Sequence, residues 1–507
     1  MPSRHTGIDS TDFAPKTTPA PFDPPPSHLH TPTMPPPPPP LQQTIYVGPF
    51  VFSKAPTELD ICPYGAIGVT TTGTISFIDR DVPAELNNAD GTRWKAEKGT
   101  EWEDARMLVA EEAEFFFPGF VDTHIHASQY PNAGIFGKST LMDWLDTYTF
   151  PLEASFADLA TARRVYARVV ARTLAHGTTT AAYHATIHVA ATNLLADICV
   201  ERGQRALVGR VCMDTLSPEY YRDESVEAAV RDSRACIAHV RQLDPRGELV
   251  TPVITPRFAP SCTTPCLRAL GELHRETGAW CQTHMSENVG EIAMVRELFP
   301  DSADYASVYD EAGLLTPKTI LAHAVHLSEA ERKLVERRKA KVSHCPASNT
   351  ALTSGCARVR ELWDAGITVG LGTDVSGGYS ASVLEAARQA IMVSRHVAMT
   401  EGDGAKLSTE EVLYLATRGG AKVVGLEDKI GAFEVGMQWD AQLVGLGEVA
   451  KGEEGKIGES GPVDVFGWEQ WEERVAKWLY NGDDRNTKAV WVKGRLVHYR
   501  PEMERRN

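Results

Sequence analysis

The chain has 507 residues, of which 42% are apolar, so it can bury a large core and is not disordered throughout. With 51 Lys and Arg against 67 Asp and Glu, its formal charge of −16 argues against binding nucleic acid or an anionic membrane, because both select a basic face. The nine cysteines are scattered without a CxxC pair, which is typical of a reducing compartment. The opening MPSRHTGIDS has no apolar signal core and no stretch is apolar enough to span a bilayer, so a cytoplasmic protein is predicted.

Residues 1–40 form the first segment and contain 14 of the 32 prolines. Such a composition cannot bury a core and predicts a disordered tail that samples extended polyproline conformations. Two readings stay open: a solvated tail, or a ligand for SH3- or WW-type modules.

Both flanks of the remaining chain have short alternating β patterns. Residues 41–114 include IYVGPFVF and GTISFIDR, and residues 431–507 include DAQLVGL and AVWVKGRLV. The two flanks together predict a small composite β-sandwich built from both termini. An acidic, Gly-rich loop is predicted near 445–461, where GLGEVAKGEEGKIGESG interrupts the pattern.

The middle segment, 115–430, alternates apolar runs with helical stretches such as LATARRVYARVVARTLAHG. Eight short runs lie near 115–122, 178–183, 205–213, 248–255, 279–284, 319–324, 340–345 and 367–374. This alternation predicts an α/β fold, a parallel (β/α)8 TIM-type barrel. Because catalytic groups of such barrels lie at the carboxyl ends of the strands, candidate residues should fall where a run ends.

Histidine and aspartate side chains meet that condition at four strand ends. His124 and His126 follow the first run and point the same way, since alternate strand residues share a face. His284, His323 and Asp374 close the fifth, sixth and eighth runs. Imidazole and carboxylate ligands suit zinc, so these residues predict a metal site.

Several of these residues also have a second interpretation. Glu287 lies three residues after His284, where a tight loop would bring a proton-shuttling carboxylate to the metal. Asp374 alone is also consistent with a residue that caps the next turn, and His323 is either a metal ligand or a residue behind the ligands. Arg257 ends the fourth run and is either a substrate contact or half of a structural salt bridge. Four further histidines are predicted to be structural: His184, His188, His326 and His344.

A site of three histidines and one aspartate leaves a position for water. Bound zinc lowers the pKa of water from about 15.7 to roughly 7–9 and so provides a nucleophile near neutral pH. Asp374 and Glu287 would then take and return protons, which indicates hydrolysis at a C–N or similar polarised centre. No lysine at a strand end offers a carbamate bridge, so one metal is predicted. Iron accepts the same ligands, and the identity of the metal stays open.

At these residues the sequence resembles the amidohydrolase superfamily and, within it, the guanine deaminases. The motifs that carry the resemblance are FPGFVDTHIHASQY, LDTYTFPLE, HGTTTAAYHATIH, LVGRVCMD, ITPRF, THMSEN, SVYDEAGLLT, HCPASN, GLGTDVSGGYS and LYNGDDRN. They run in the family's order, and the resemblance as a whole covers essentially residues 41–507 and omits the proline-rich tail. HxH and GTD are moderately specific, whereas HASQY, TPRF and GTDVSGGYS together are more particular.

The resemblance implies one zinc per subunit, a homodimer, and conversion of guanine and water to xanthine and ammonia. It implies zinc ligation by His124, His126, His284 and Asp374. It further implies purine contacts from Gln129, Arg257, Phe258, Glu287 and Asp374, with Glu287, His323 and Asp374 catalytic.

The preference for guanine also has a physical basis. Its O6 and N7 are two adjacent acceptors, which suit a guanidinium, whereas adenine places an amine donor there. We therefore expect Arg257 to read that edge. Two other functions stay open: hydrolysis of another amine-bearing heterocycle, and a non-catalytic scaffold of the same fold.

Overall fold

The computed structural model describes residues 41–83, 91–135, 137, 141–449, 461–501 and 503. The predicted tail over 1–40 lies outside these residues, as does most of the predicted Gly-rich loop. Both stay predictions.

Nineteen strands lie in the described residues. They are β1 (Thr44–Ala55), β2 (Glu58–Val69), β3 (Ile75–Asp79), β4 (Arg106–Val109), β5 (Glu114–Pro118), β6 (Phe120–His126), β7 (Thr178–His184), β8 (Arg205–Gly209), β9 (Val211–Cys212), β10 (Val250–Pro256), β11 (Trp280–Met285), β12 (Thr319–His323), β13 (Lys341–His344), β14 (Val369–Leu371), β15 (Ala441–Gly445), β16 (Gly447–Glu448), β17 (Asp464–Val465), β18 (Thr487–Val492) and β19 (Arg495–Tyr499).

The α-helices alternate with the strands over the middle of the chain. They are α1 (Thr92–Glu97), α2 (Leu141–Trp144), α3 (Phe150–Ala154), α4 (Leu159–Ala175), α5 (Val189–Arg202), α6 (Val226–Leu243), α7 (Thr264–Thr277), α8 (Val289–Leu298), α9 (Tyr305–Glu311), α10 (Glu329–Arg338), α11 (Pro346–Ala351), α12 (Val359–Asp364), α13 (Val383–Glu401), α14 (Thr409–Tyr414), α15 (Gly420–Val423) and α16 (Trp471–Asn481). Within the described ranges, none of them combines the length and apolar character needed to cross a bilayer.

The barrel sheet follows the order β6-β7-β8-β10-β11-β12-β13-β14, with every neighbouring pair parallel. Two backbone hydrogen bonds join its ends, because Asp374 N–H donates to the His124 carbonyl (2.8 Å) and His126 N–H donates to the Val375 carbonyl (3.1 Å). The predicted TIM-type α/β barrel is therefore confirmed. The first and last strands meet at their carboxyl ends, where the candidate residues lie.

The second large sheet takes strands from both ends of the described chain, in the order β19-β18-β15-β5-β1-β2-β3, with β4 beside β1. Its core is aromatic: Tyr46 stacks on Trp439 with ring centroids 4.3 Å apart, and Phe433 stacks on Trp439 at 4.9 Å. The Lys493-Gly494 turn joins β18 to β19, as AVWVKGRLV predicts.

Two details differ from the sequence prediction. The run near 115–122 is divided: Glu114–Pro118 pairs with β15 in the terminal sheet, and the barrel begins at Phe120. Its consecutive phenylalanines, Phe115 to Phe117, are all buried and fit either sheet, so the pattern could not place the break. In the C-terminal segment, α16 interrupts the strands, and its Trp478 stacks on Phe120 at 5.8 Å.

Candidate metal centre and substrate pocket

Four side chains from three places in the chain converge at the mouth of the barrel. His124 and His126 end β6, His284 lies near the end of β11, and Asp374 follows β14. Asp374 Oδ1 lies 3.1 Å from His124 Nε2 and 3.3 Å from His126 Nε2, and the Nε2 atoms of His126 and His284 are 3.1 Å apart. All four residues are buried or nearly so.

The turn after β14 is fixed against β6. Buried Asp122 accepts hydrogen bonds from the backbone N–H (3.0 Å) and hydroxyl (2.6 Å) of Thr373, and its burial raises its pKa to about 7. A Cβ at position 372 would lie 2.8 Å from the Cβ of His124, so only glycine allows this close approach. The HxH and GTD motifs are therefore parts of one packed unit.

The four ligand atoms fit a metal ion. A tetrahedral ion bonded to nitrogen at about 2.0–2.1 Å separates its ligand atoms by about 3.3–3.4 Å, close to the distances in this site. His284 Nδ1 lies 2.6 Å from the Arg257 carbonyl, so a proton there leaves Nε2 as the lone-pair donor. Burial lowers the pKa of His124 to about 4, and its Nε2 has no hydrogen-bond partner among the described residues. Neutral imidazoles with free lone pairs are what metal binding requires.

His323 and Glu287 lie on the other side of Asp374. His323 Nδ1 is 2.8 Å from Asn349 Oδ1, which turns its Nε2 towards Glu287 Oε2 (3.6 Å) and Asp374 Oδ2 (3.7 Å). Burial raises the pKa of Glu287 above its usual range, and the Ser354 hydroxyl donates to its Oε1 (2.9 Å). A carboxyl with a raised pKa in this position suits proton transfer.

Three of the loops that follow the strands have left-handed backbone at residues other than glycine. The φ angles are 51° at Ser286, 71° at His323 and 48° at Asp374. Such conformations cost free energy and concentrate at functional sites, where the surrounding packing enforces them. Two of the three, His323 and Asp374, are candidate residues, and Ser286 directly precedes Glu287.

Arg257 forms a buried ion pair with Glu153. Its Nη1 donates to Glu153 Oε2 (2.7 Å) and its Nη2 donates to Glu153 Oε1 (3.2 Å). Gln129 Nε2 donates to the same Oε1 (2.8 Å). The salt bridge that was the alternative interpretation of Arg257 is present in the structure.

These groups surround a cavity beside the four candidate ligand atoms. Its lining residues are His126, Gln129, Trp144, Leu145, Arg257, Phe258, His284, Glu287, Glu291, His323, Leu352 and Asp374. The structure thus brings every predicted site residue together, with His124 directly behind the lining. The chemical role of each residue stays a prediction.

Sequence reasoning missed several neighbours of the site. Trp144, Leu145, Glu153 and Leu352 lie on helices or loops, where the strand-end condition gave no signal. His184 does end a strand, β7, and its ring centroid lies 4.6 Å from those of both His124 and His126. The sequence analysis predicted a structural role for His184 because no carboxylate accompanies it, and that role stays a prediction.

Comparison with known proteins identifies the family. Residues 115–497 match the Amidohydrolase family. The probable guanine deaminase of Schizosaccharomyces pombe is 46% identical, with 89% of this chain and 83% of that protein covered. The human guanine deaminase is 39% identical, with 89% and 96% covered. The chain belongs to the amidohydrolase family, among the guanine deaminases.

A solved structure of guanine deaminase from C. acetobutylicum, with guanine bound in its active site, has the same fold. Its TM-score is 0.78 at 31% identity, covering 90% of this chain and all of that one. The predicted fold and enzyme class, a hydrolase of the amidohydrolase family, are thus confirmed. Members of this family are typically metal-dependent, in agreement with the His and Asp group at the barrel mouth.

Proposed function

We propose that this protein is a guanine deaminase, which hydrolyses guanine to xanthine and ammonia. The observation that carries the proposal is the convergence of the four ligand atoms and the Arg257–Glu153 pair on one cavity, in a chain of this family. Neither rival explains it as well. A scaffold has no need of a buried ligand set, and relatives at 39–46% identity over most of the chain are guanine deaminases.

The proposed metal is one zinc ion, held by His124, His126, His284 and Asp374. When bound, zinc lowers the pKa of water and so supplies a nucleophile near neutral pH. The protein's own contribution is to hold these ligands rigidly, through the Asp122–Thr373 hydrogen bonds and the closed seam between β6 and Val375.

Substrate recognition is assigned to Gln129, Arg257 and Phe258. The guanidinium of Arg257 supplies N–H donors for O6 and N7 of guanine, which orients C2 and its amine towards the ligand group. Phe258 is buried beside Arg257 and offers an apolar surface to the purine. Adenine would present its own amine to the same donors and is expected to be rejected.

Proton transfer is assigned to Asp374, Glu287 and His323. In the overall reaction a C2–O bond forms, the C2–N bond breaks, and the amine leaves as ammonia after gaining a proton. Asp374 Oδ2 accepts the proton of the attacking water, and Glu287 delivers a proton to the purine and its leaving amine. His323 Nε2 faces both carboxylates, where it stabilises the negative charge that moves between them.

A substrate panel tests the proposal. Purified protein is incubated with guanine, adenine, adenosine and a chlorinated s-triazine, and product is followed by ultraviolet absorbance and ammonia release. We expect xanthine from guanine and at least about 100-fold lower kcat/KM on the others, since mismatched buried donors are costly. Preference for adenosine or the triazine would support another amidohydrolase activity. A metal-loaded protein inert on all four would support the scaffold.

The resemblance also supports a cytoplasmic homodimer that acts in purine catabolism. Sedimentation analysis tests the dimer, and fractionation of cells tests the location. For the proline-rich segment 1–40 we propose a solvated tail, with SH3- or WW-type modules as candidate partners. Titration of the full chain with such modules tests the partner, and loss of binding on deletion of 1–40 is the supporting result.

A further inference from the structure

Glu153 is fully buried on α3 and holds the two side chains assigned to purine recognition. Its Oε1 accepts from Gln129 Nε2 (2.8 Å) and Arg257 Nη2 (3.2 Å). Its Oε2 accepts from Arg257 Nη1 (2.7 Å) and the Tyr221 hydroxyl (2.8 Å). A carboxylate offers about four lone-pair sites, so these four donors use its accepting capacity. Glu153 therefore has no acceptor left for substrate.

Gln129 also contacts the loop that carries Asp374. Gln129 Oε1 accepts from the backbone N–H of Ser376 (3.2 Å), while its Nε2 donates to Glu153, so both ends of the amide are fixed. Phe150, three residues before Glu153 on the same helix, places its ring 5.2 Å from the Arg257 guanidinium. One short helix thus fixes the plane of Arg257 from two directions.

We propose that Glu153 is a positioning residue that holds Arg257 and Gln129 as one rigid recognition unit without contacting the substrate. The inference rests on the proposed function. It adds a constraint on how guanine is read. Because the end of the guanidinium is paired with Glu153 and Nη1 also lies 3.9 Å from Met213 Sδ, the purine must meet the N–H groups of Arg257 that these contacts leave available. Burial alone would raise the pKa of Glu153, but the Arg257 guanidinium beside it holds that pKa below its usual range. The Arg257–Glu153 pair therefore presents no net charge to the neutral purine.

A double-mutant cycle tests this role, with the variants Glu153→Gln, Arg257→Met and both together in the full-length, metal-loaded enzyme. We expect Glu153→Gln to raise KM for guanine and to lower kcat/KM by about 100-fold at unchanged metal content, since a displacement of about 1 Å has that effect. In the Arg257→Met background the same change should cost much less, because its effect through Arg257 is gone and only its effect through Gln129 remains.

A buried ion pair elsewhere provides the matched control. Asp440 pairs with Arg205 through two hydrogen bonds and is equally buried, but it lies outside the cavity. Asp440→Asn should lower the melting temperature and leave KM unchanged. A fall in kcat at unchanged KM in Glu153→Gln, or losses that multiply in the cycle, would overturn the role of Glu153.

If Glu153→Gln does not fold, Tyr221→Phe replaces it, because it removes one donor to Glu153 without touching Arg257. We expect a rise in KM in the wild-type background and none in the Arg257→Met background, and equal effects in both would overturn the proposal. Wild-type turnover of guanine is measured first. Its absence contradicts the proposed function alone, and the cycle is then run on whichever substrate the panel identifies.

Discussion

Two buried arginine–carboxylate pairs lie at opposite ends of the barrel. Arg257 and Glu153 meet at the carboxyl ends of the strands, and Arg205 begins β8 at the other end, where it pairs with Asp440 of the terminal sheet (2.7 and 3.0 Å). Other protein groups also form hydrogen bonds with the second pair. The Lys493 N–H donates to Asp440 (2.8 Å), and Arg205 donates to the Glu248 carbonyl and to Gln438.

The difference lies in what surrounds each pair. Arg205 joins two sheets, and its surroundings are backbone and neighbouring side chains of the interface. Arg257 lines an open cavity, with the candidate metal ligands on its far side. We propose that similar chemistry serves stability at the amino ends of the strands and substrate recognition at the carboxyl ends, as the barrel architecture favours.

The largest expected effect falls on the metal group. Asp374→Asn removes both a ligand charge and a proton acceptor, so we expect kcat/KM on guanine to fall by at least about 10⁴-fold. Steady-state kinetics with metal analysis on the same sample check this. Activity within about tenfold of the wild type would show that the barrel mouth is not the reaction centre.

Glu287→Gln is expected to come next. It keeps the size and the hydrogen bond to Ser354 but cannot shuttle a proton, so kcat should fall by about 10²–10⁴-fold. Metal content and melting temperature should stay at wild-type values. Loss of metal in this variant would instead indicate that Glu287 acts on the ligand group.

Arg257→Met should have a smaller effect, centred on recognition. Loss of the donors to O6 and N7 corresponds to about 1–3 kcal/mol, or roughly a 5- to 150-fold fall in kcat/KM on guanine. The ratio of activities on guanine and adenine should narrow as well. An unchanged ratio would remove Arg257 from substrate recognition.

Asp440→Asn should have the smallest effect on activity and a large one on stability. It leaves the Arg205 charge buried without its partner, so the free energy of unfolding should fall by about 3–5 kcal/mol. Denaturant titration measures this, and KM for guanine should not change. A raised KM would show that the Arg205–Asp440 pair also affects substrate binding, which would contradict its purely structural role.

The sequence pointed to candidate residues where chemistry coincides with strand ends, and the structure brings these residues together. His124, His126, His284, His323 and Asp374 each follow an apolar run, so one geometric condition identified them. The sequence analysis did not find Glu153, because this residue lies on a five-residue helix where neither periodicity nor a strand end marks it. Its importance comes from partners 24, 68 and 104 positions away in the chain, which only the folded structure brings together.

The boundary between the two sheets was also beyond the sequence. Phe115, Phe117 and Phe120 are all buried, and an unbroken apolar run does not show which sheet each residue joins. The division becomes visible only in the pairing, where β5 aligns with β15 and β6 aligns with β7.

The most direct test of the proposed zinc-dependent guanine deaminase activity is a zinc titration of metal-free protein, with conversion of guanine to xanthine followed by absorbance. We expect no turnover without metal, a linear rise in the rate of xanthine formation with added zinc, and a sharp break at one zinc per chain. Full activity in the metal-free protein, or no xanthine at saturating zinc, would contradict it.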